Sequence, residues 1–146
     1  MYINIEHIAG QQNWLSGIDN DNFEAYALDM FQYQYERCAV YHEFVDAIRR
    51  HPAEVHRLQD IPFLPISFFK THTVTAAAGP FDVAFESSGT TSTQNSKHYV
   101  KDAGLYRESF LLAFEQFYGR PEDYVFLCLL PSYLERGNSS LVYMAD

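Results

Sequence analysis

Basic residues are scarce in this chain, and no long apolar run occurs. Lys and Arg together number 10 against 19 Asp and Glu, which gives a formal net charge of −9 over 146 residues. Nucleic acids and anionic membranes attract clustered Lys and Arg, so an acidic chain suits neither partner. No stretch approaches the roughly 20 apolar residues of a membrane span, and the N-terminal residues lack a basic head and an apolar signal run. The sequence therefore predicts a cytoplasmic protein with no nucleic-acid or membrane partner.

Cysteine is rare as well, and the histidines are scattered. Cys38 and Cys128 stand alone, with no spacing typical of a disulfide framework or a zinc site. His51 and His56 are five residues apart and miss the spacing of a shared helix face. We therefore predict reduced thiols and no metal site. Cys128 lies within an apolar run, which predicts a buried packing residue and not an acyl acceptor.

Aromatic residues are abundant by contrast. The chain has 11 Tyr and 12 Phe, and 47% of its residues are apolar. That composition is typical of one globular domain with a substantial core. The aromatic content has two interpretations, a bulky core or a site for an apolar or aromatic acyl group.

Helical periodicity marks the N-terminal third of the chain. Apolar residues recur at helical spacing from Phe23 to Ile48, which predicts two helices that meet near residues 38–40. Asp21, followed by Glu24, resembles a capping box at the start of the first helix. Pro52 ends the second helix, because the residue before proline avoids helical angles.

The second half of the chain mixes strand and helix signals. The alternating segment Phe81–Glu86 and the segment Lys97–Val100 read as strands, and Asp102 is predicted to cap a helix that ends at Gly119. The continuous apolar run Tyr124–Leu130 predicts a strand buried on both faces. The expected fold class is α/β, with N-terminal helices followed by a partial sheet.

The loop Ser87–Thr91 between the first two strands carries four hydroxyls and one glycine. Gly89 can reach positive φ, and successive amides in such a turn form a concave donor site for anions. Hydroxyls add further donors for phosphoryl oxygens. The Walker A pattern is absent and no helix is predicted directly after the loop, so binding would use amides, hydroxyls and a cation, with Lys97 the nearest. A plain Ser/Thr-rich loop is the alternative.

Three segments together resemble a known family. Ser87-Ser88-Gly89-Thr90-Thr91 is similar to the SSGTT signature of adenylate-forming enzymes. Leu64-Pro65-Ile66-Ser67-Phe68-Phe69-Lys70 before it and Ser96-Lys97-His98-Tyr99-Val100 after it resemble the LuxE-type acyl-protein synthetases of bacterial bioluminescence and the related phenylacetate-CoA ligases. Ser92 stands where the family has glycine, and Gln94-Asn95 replaces its Pro-Lys pair.

The resemblance implies ATP-dependent activation of a carboxylic acid as an acyl-adenylate, with Mg²⁺, followed by transfer to a thiol of coenzyme A or of a protein cysteine. It assigns the ATP phosphates to the loop, with Lys97 as a charge partner; the loop residues are Ser87, Ser88, Gly89, Thr90 and Thr91. No catalytic residue is assigned.

A second candidate region, Pro131–Ser140, follows the predicted strand Tyr124–Leu130 at its carboxyl end, where ligands of open α/β sheets bind. The resemblance places this region near the acyl pocket, and the substrate candidates are Tyr133, Arg136, Ser139 and Ser140. The alternative is a surface loop with a helix cap at Asn138 or Ser139 and an exposed Glu135–Arg136 pair.

The expected organisation is the N-terminal portion of a larger acyl-activating domain over residues 1–146. Residues 20–51 are helical, 52–80 form a connector, and 81–146 hold the phosphate loop and the α/β part. The resemblance implies that the adenine pocket and the mobile lid come later in the chain, so we expect these residues alone to be inactive. An uncovered apolar strand at 124–130 would make them a homo-oligomer. The alternative function is a non-catalytic module that binds an acyl group or a nucleotide.

Overall fold

A computed structural model describes residues 14–87, 94–129 and 138–146. It contains helices and a small two-stranded sheet, which is compatible with the coarse α/β class expected. The chain divides into two compact units. The first holds the described residues up to Phe68 together with His72–Ala77, and the second holds Phe69–Thr71 and the described residues from Ala78 to Asp146. No helix within the three described ranges has the length and apolar character needed to cross a membrane.

The two longest helices of the first unit lie where the periodicity predicts them. Helix α1 spans Phe23–Arg37 and helix α2 spans Ala39–Ala47. Cys38 lies between them in an extended conformation and is buried. Arg49, after α2, has a positive φ of 55°, and the amide of Arg50 donates to the carbonyl of Val45. A left-handed residue at this position ends a helix by satisfying its last carbonyls.

The start of α1 differs from the predicted capping box. Asp19, not Asp21, accepts hydrogen bonds through its side chain, from the amides of Asp21 and Asn22 at 2.9 and 3.1 Å. Asn22 Oδ1 accepts in return from the amide of Asp19 at 2.9 Å. Glu24 reaches the amide of Leu58 at 3.4 Å. Several residues with capping side chains compete here, and tertiary contact draws Glu24 away from the helix end.

The core of the first unit lies between α1, α2 and the segment that follows them. Its buried residues are Phe31, Cys38, Tyr41, Val45 and Val55. Aromatic rings pack edge to face in it, with the centroids of Phe31 and Tyr41 6.1 Å apart. The ends of the predicted apolar stripe, Phe23 and Ile48, stay about half exposed.

The predicted connector contains three short helical segments. Two are 3₁₀ turns, Pro52–Glu54 and Leu58–Asp60, and the third is a single α-helical turn, α3, at Phe68–Thr71. The peptide bond between Gly79 and Pro80 is cis.

The second unit contains the strand pair and two helices. Strands β1 (Val83–Glu86) and β2 (Lys97–Val100) are antiparallel, with Val83 opposite Val100. Helix α4 spans Ala103–Tyr118 and helix α5 spans Ser140–Ala145. Asp102 caps α4 as predicted, since its Oδ1 accepts from the amide of Leu105 at 2.9 Å. The helix ends before Gly119, which has a φ of 83°.

The predicted buried strand Tyr124–Leu130 is wrong over residues 124–129. Those residues form no strand, and Val125 and Leu127 keep 89% and 94% of their surface exposed. Cys128 is exposed too, so the prediction of a buried thiol is also wrong. A strand needs a hydrogen-bonded neighbour, and the described part of the chain offers none to this segment. Local β-propensity alone does not supply one.

The buried hydroxyl of Tyr41 generates a prediction about stability. It donates to the carbonyl of Pro62 at 2.5 Å, and burial raises the pKa of Tyr41 to about 12. We expect Tyr41→Phe to lower the free energy of unfolding by about 1 kcal/mol at neutral pH, because the carbonyl loses its donor. Urea denaturation followed by circular dichroism measures this change.

The raised pKa of Tyr41 also makes the stability of the fold depend on pH. The folded pKa lies above the unfolded value of 10. The stabilisation is therefore complete below pH 10 and is lost as pH rises through about 12. Tyr41→Phe should flatten that alkaline decline, whereas Tyr26→Phe on α1 should leave it unchanged. Identical alkaline profiles for wild type and Tyr41→Phe would contradict the assignment.

Candidate functional site

Ser87 and Ser96 close the base of the Ser/Thr-rich loop. The amide of Ser87 donates to the carbonyl of Ser96 at 3.0 Å, and the amide of Ser96 donates to Ser87 Oγ at 3.1 Å. The hydroxyl of Ser96 donates to Ser87 Oγ at 2.7 Å. These bonds continue the strand pairing, in which Glu86 lies opposite Lys97. The two ends of the stretch 88–95 are therefore held side by side.

The strand pair presents two chemically different faces next to this base. On one face Phe85 is buried, with its ring centroid 5.1 Å from Tyr106 and 5.3 Å from Tyr143. His98 pairs with Phe85 across the strands and lies on the same face, near Tyr106. Lys97 contacts Glu86 on the other face. Lys97 and His98, which are neighbours on one strand, therefore lie on opposite faces of the pair.

Lys97, the cation assigned to the phosphate loop, already has a partner. Lys97 Nζ lies 3.4 Å from Glu86 Oε1, and the two side chains are 51% and 34% exposed. A pair with this much solvent contact is weak and is screened by salt. Lys97 is therefore not a free charge beside the loop, although little free energy is needed to separate it from Glu86.

His98 carries the shifted pKa nearest to the loop. Its imidazole is solvent-accessible on one side and packs against the ring of Tyr106, 6.3 Å away between centroids. Desolvation by burial lowers the pKa of His98 below its ordinary value of 6.5, which favours the neutral imidazole over the charged form.

A hydrogen bond joins the loop base to the second candidate region. The amide of Glu86 donates to the carbonyl of Asn138 at 2.8 Å. Ser139 then caps α5, since its Oγ accepts from the amide of Val142 at 3.4 Å. Val142 is buried, and Tyr143 contacts Phe85. The short helix thus anchors Ser139 and Ser140 beside the strand pair.

The structure describes four of the predicted site residues and brings them into one region. Ser87 and Lys97 lie at the loop base, and the segment of Ser139 and Ser140 reaches it through Asn138. Ser139 takes the helix-cap role that was the alternative to substrate contact. The remaining candidates lie outside the described residues: Ser88, Gly89, Thr90, Thr91, Tyr133 and Arg136.

Two features of the site escaped the sequence interpretation, namely the participation of Ser96 and the bond from Glu86 to Asn138. The first could have been found by pairing the strands residue by residue, because Ser96 then falls opposite Ser87. The second had no signal, since it joins segments about 50 residues apart.

The described residues supply no ligand set for a metal ion. They contain no cluster of three or more His, Cys, Asp or Glu side chains. Glu86, the carboxylate at the loop base, is engaged by Lys97. An Mg²⁺ ion that arrives with a nucleotide takes most of its ligands from phosphates and water.

Comparison with known proteins assigns no family. No family model, curated protein or solved structure matches this chain.

The environment of His98 generates a prediction about titration. We expect its NMR titration midpoint to lie below 6.5, because burial disfavours the charged form. The ring of Tyr106 lies against His98, so we expect Tyr106→Ala to reduce that burial and to move the midpoint upward. A His98 midpoint that Tyr106→Ala leaves unchanged would contradict the stated cause.

The lowered pKa of His98 also makes the stability of the fold depend on pH. The folded pKa of His98 is depressed, so its contribution is complete above pH 6.5 and is lost as pH falls through the folded pKa. His98→Gln should remove that part of the acid-side loss of stability. Thermal unfolding between pH 7.5 and pH 5, chosen as about one unit or more on each side of the ordinary value, measures it.

Proposed function

We propose that this chain contributes the phosphate-binding loop of an enzyme that activates a carboxylic acid with ATP and passes the acyl group to a thiol. The observation that carries the proposal is the hydrogen bond from the amide of Glu86 to the carbonyl of Asn138. It links the base of the Ser/Thr-rich loop to the segment for which the family resemblance implies the acyl pocket. The reaction requires such proximity, because a carboxylate must attack a phosphorus atom.

In the first step a carboxylate oxygen forms a bond to the α-phosphorus of ATP. The bond from that phosphorus to the bridging oxygen breaks, and pyrophosphate leaves with the electron pair. In the second step a thiolate attacks the acyl carbon, and AMP leaves with the electrons of the carbon–oxygen bond. The thiol belongs to coenzyme A or to a protein cysteine.

The chain's own part in this chemistry is to stabilise the charge that grows on the leaving pyrophosphate. Preorganised amide and hydroxyl donors do so without reorganising during the reaction. We assign that role to the loop amides and to the hydroxyls of Ser87, Ser88, Thr90 and Thr91. Mg²⁺ enters with ATP and supplies further charge neutralisation there.

Hydrogen bonds and packing at the loop base also suit the binding of a leaving pyrophosphate. The strand ends are held by hydrogen bonds between Ser87 and Ser96, and Phe85 behind them is buried against Tyr106. A donor fixed on packed strands keeps its position better than one on an unsupported loop. Ser139 and Ser140 lie next to this frame, and we place the carboxyl end of the acid there.

The loop hydroxyls generate the main test. We expect Thr90→Ala and Thr91→Ala each to slow acyl-adenylate formation by on the order of 10²–10³, because the lost donor acts mainly in the transition state. Binding of the acid should change little. Single-turnover formation of the adenylate, in the protein expressed from its complete coding frame, measures the rate.

Thr73→Ala, which removes an exposed hydroxyl of the first unit, is the matched control and should leave the rate unchanged. Acid-dependent ATP–pyrophosphate exchange tests the reaction class with a panel of carboxylic acids. Unaltered rates in both loop variants would remove the loop from the mechanism. Nucleotide binding without any exchange would favour the alternative, a non-catalytic binding module.

Substitution of Lys97 and substitution of Glu86 should affect MgATP binding differently, although the two side chains form one ion pair. Lys97→Gln should weaken MgATP binding severalfold, because a cation is lost beside the phosphates. Glu86→Gln should leave binding equal or tighter, because it frees Lys97 and removes a repelling carboxylate. Isothermal titration calorimetry at low and high salt measures both, and salt should shrink the difference.

Equal losses of affinity in Lys97→Gln and Glu86→Gln would contradict this prediction. That result would mean that the pair acts only by holding the two strands together. Thermal midpoints of both variants, measured in parallel, show how far strand pairing has been weakened.

A further inference from the structure

The hydroxyl groups of Ser87 and Ser96 are joined to each other by a hydrogen bond. Their oxygens are 2.7 Å apart, the separation of a normal O–H···O hydrogen bond. Ser87 Oγ also accepts from the amide of Ser96 at 3.1 Å. Ser96 was not among the residues assigned to the site from the sequence.

Two hydroxyls that share one hydrogen bond leave one O–H proton for another partner. If Ser96 donates to Ser87, then Ser87 Oγ accepts twice and its own proton points elsewhere. If the direction is reversed, the proton of Ser96 is the one left over. Within the part of the chain that the structure describes, neither hydroxyl has a further acceptor.

The backbone that carries the pair is hydrogen-bonded between the two strands. Ser96 directly precedes β2, and the amide of Ser87 donates to its carbonyl at 3.0 Å. Glu86 and Lys97, one residue away on each strand, continue the antiparallel register. A hydroxyl oxygen that accepts two hydrogen bonds has one tetrahedral direction left for its own proton, so the remaining donor is preorganised.

We propose that Ser96 is a positioning residue that keeps the hydroxyl pair oriented as a donor to a phosphoryl oxygen. The inference rests on the proposed function, because that function supplies the triphosphate. A phosphoryl oxygen is ionised, and hydrogen bonds to charged acceptors are stronger than neutral ones. The pair adds a directional donor at the loop base, where Lys97 offers only a point charge shared with Glu86.

The role of Ser96 can be separated from a structural one by comparing two substitutions. Ser96→Ala removes the hydroxyl but keeps the amide and carbonyl that bond to Ser87. Ser96→Thr restores a hydroxyl at the same place. We expect Ser96→Ala to weaken binding of tripolyphosphate and of MgATP about five- to tenfold, and Ser96→Thr to bind within about twofold of wild type.

A double-mutant cycle tests whether the two hydroxyls act as one unit. Ser87→Ala should cost as much affinity as Ser96→Ala, and the double variant should lose little more than either. Ser109→Ala is the matched control, since it also removes a serine hydroxyl that donates a hydrogen bond, here to the carbonyl of Tyr106 in α4. It should leave both affinities unchanged, and thermal midpoints confirm that each variant is folded.

The outcomes distinguish this inference from the proposed function. If Ser96→Ala binds tripolyphosphate as tightly as wild type does, the role of Ser96 is overturned and the proposed function is unaffected. Tripolyphosphate binding that depends on Ser96, without acid-dependent exchange in the complete enzyme, overturns acyl activation and supports the hydroxyl pair. A wild-type chain that binds neither tripolyphosphate nor MgATP overturns both.

Discussion

The antiparallel register of β1 with β2 is the constraint on which the candidate site depends. It sets Glu86 opposite Lys97, and the next pair along the strands is Ser87 with Ser96. A shift of one residue would turn every side chain of one strand to the opposite face. Such a shift would separate the two hydroxyls, break the ion pair and expose Phe85. One register thus decides the chemistry of the loop base and the packing behind it together.

The aromatic cluster on the inner face fixes that register energetically. Phe85 is buried among rings of α4 and α5, and its partner across the strands, His98, contacts Tyr106. Because this face is apolar and the other carries Glu86 and Lys97, a slipped pairing would bury charge and expose aromatic surface, both of which are costly. The site is therefore supported by packing that lies outside it.

Several elements were predictable because their causes are local. The cap at Asp102 and the end of α4 at Gly119 depend on residues within one turn of the helix. The two N-terminal helices follow from apolar spacing. The start of α1 was misassigned, since Asp19, Asp21 and Asn22 all have suitable side chains and it is Asp19 that accepts from the neighbouring amides.

Predictions that required contacts between segments far apart in sequence were less accurate. The run Tyr124–Leu130 has strand composition, yet over residues 124–129 it is exposed and unpaired in the described structure. Strand propensity states which side chains fit a sheet and not which neighbour supplies the hydrogen bonds. Cys128 was misplaced for the same reason, because its burial required that neighbour.

The sequence by itself determined the hydroxyl-rich composition of the loop and the strand character of the segments that flank it, since both are properties of contiguous residues. Only the tertiary structure decided that Ser96 joins Ser87, that Lys97 is paired with Glu86, and that the backbone of Asn138 meets this strand. The first two contacts join neighbouring strands across the loop, and the third joins Glu86 to Asn138. Their partners are selected by register and packing, which no local pattern encodes.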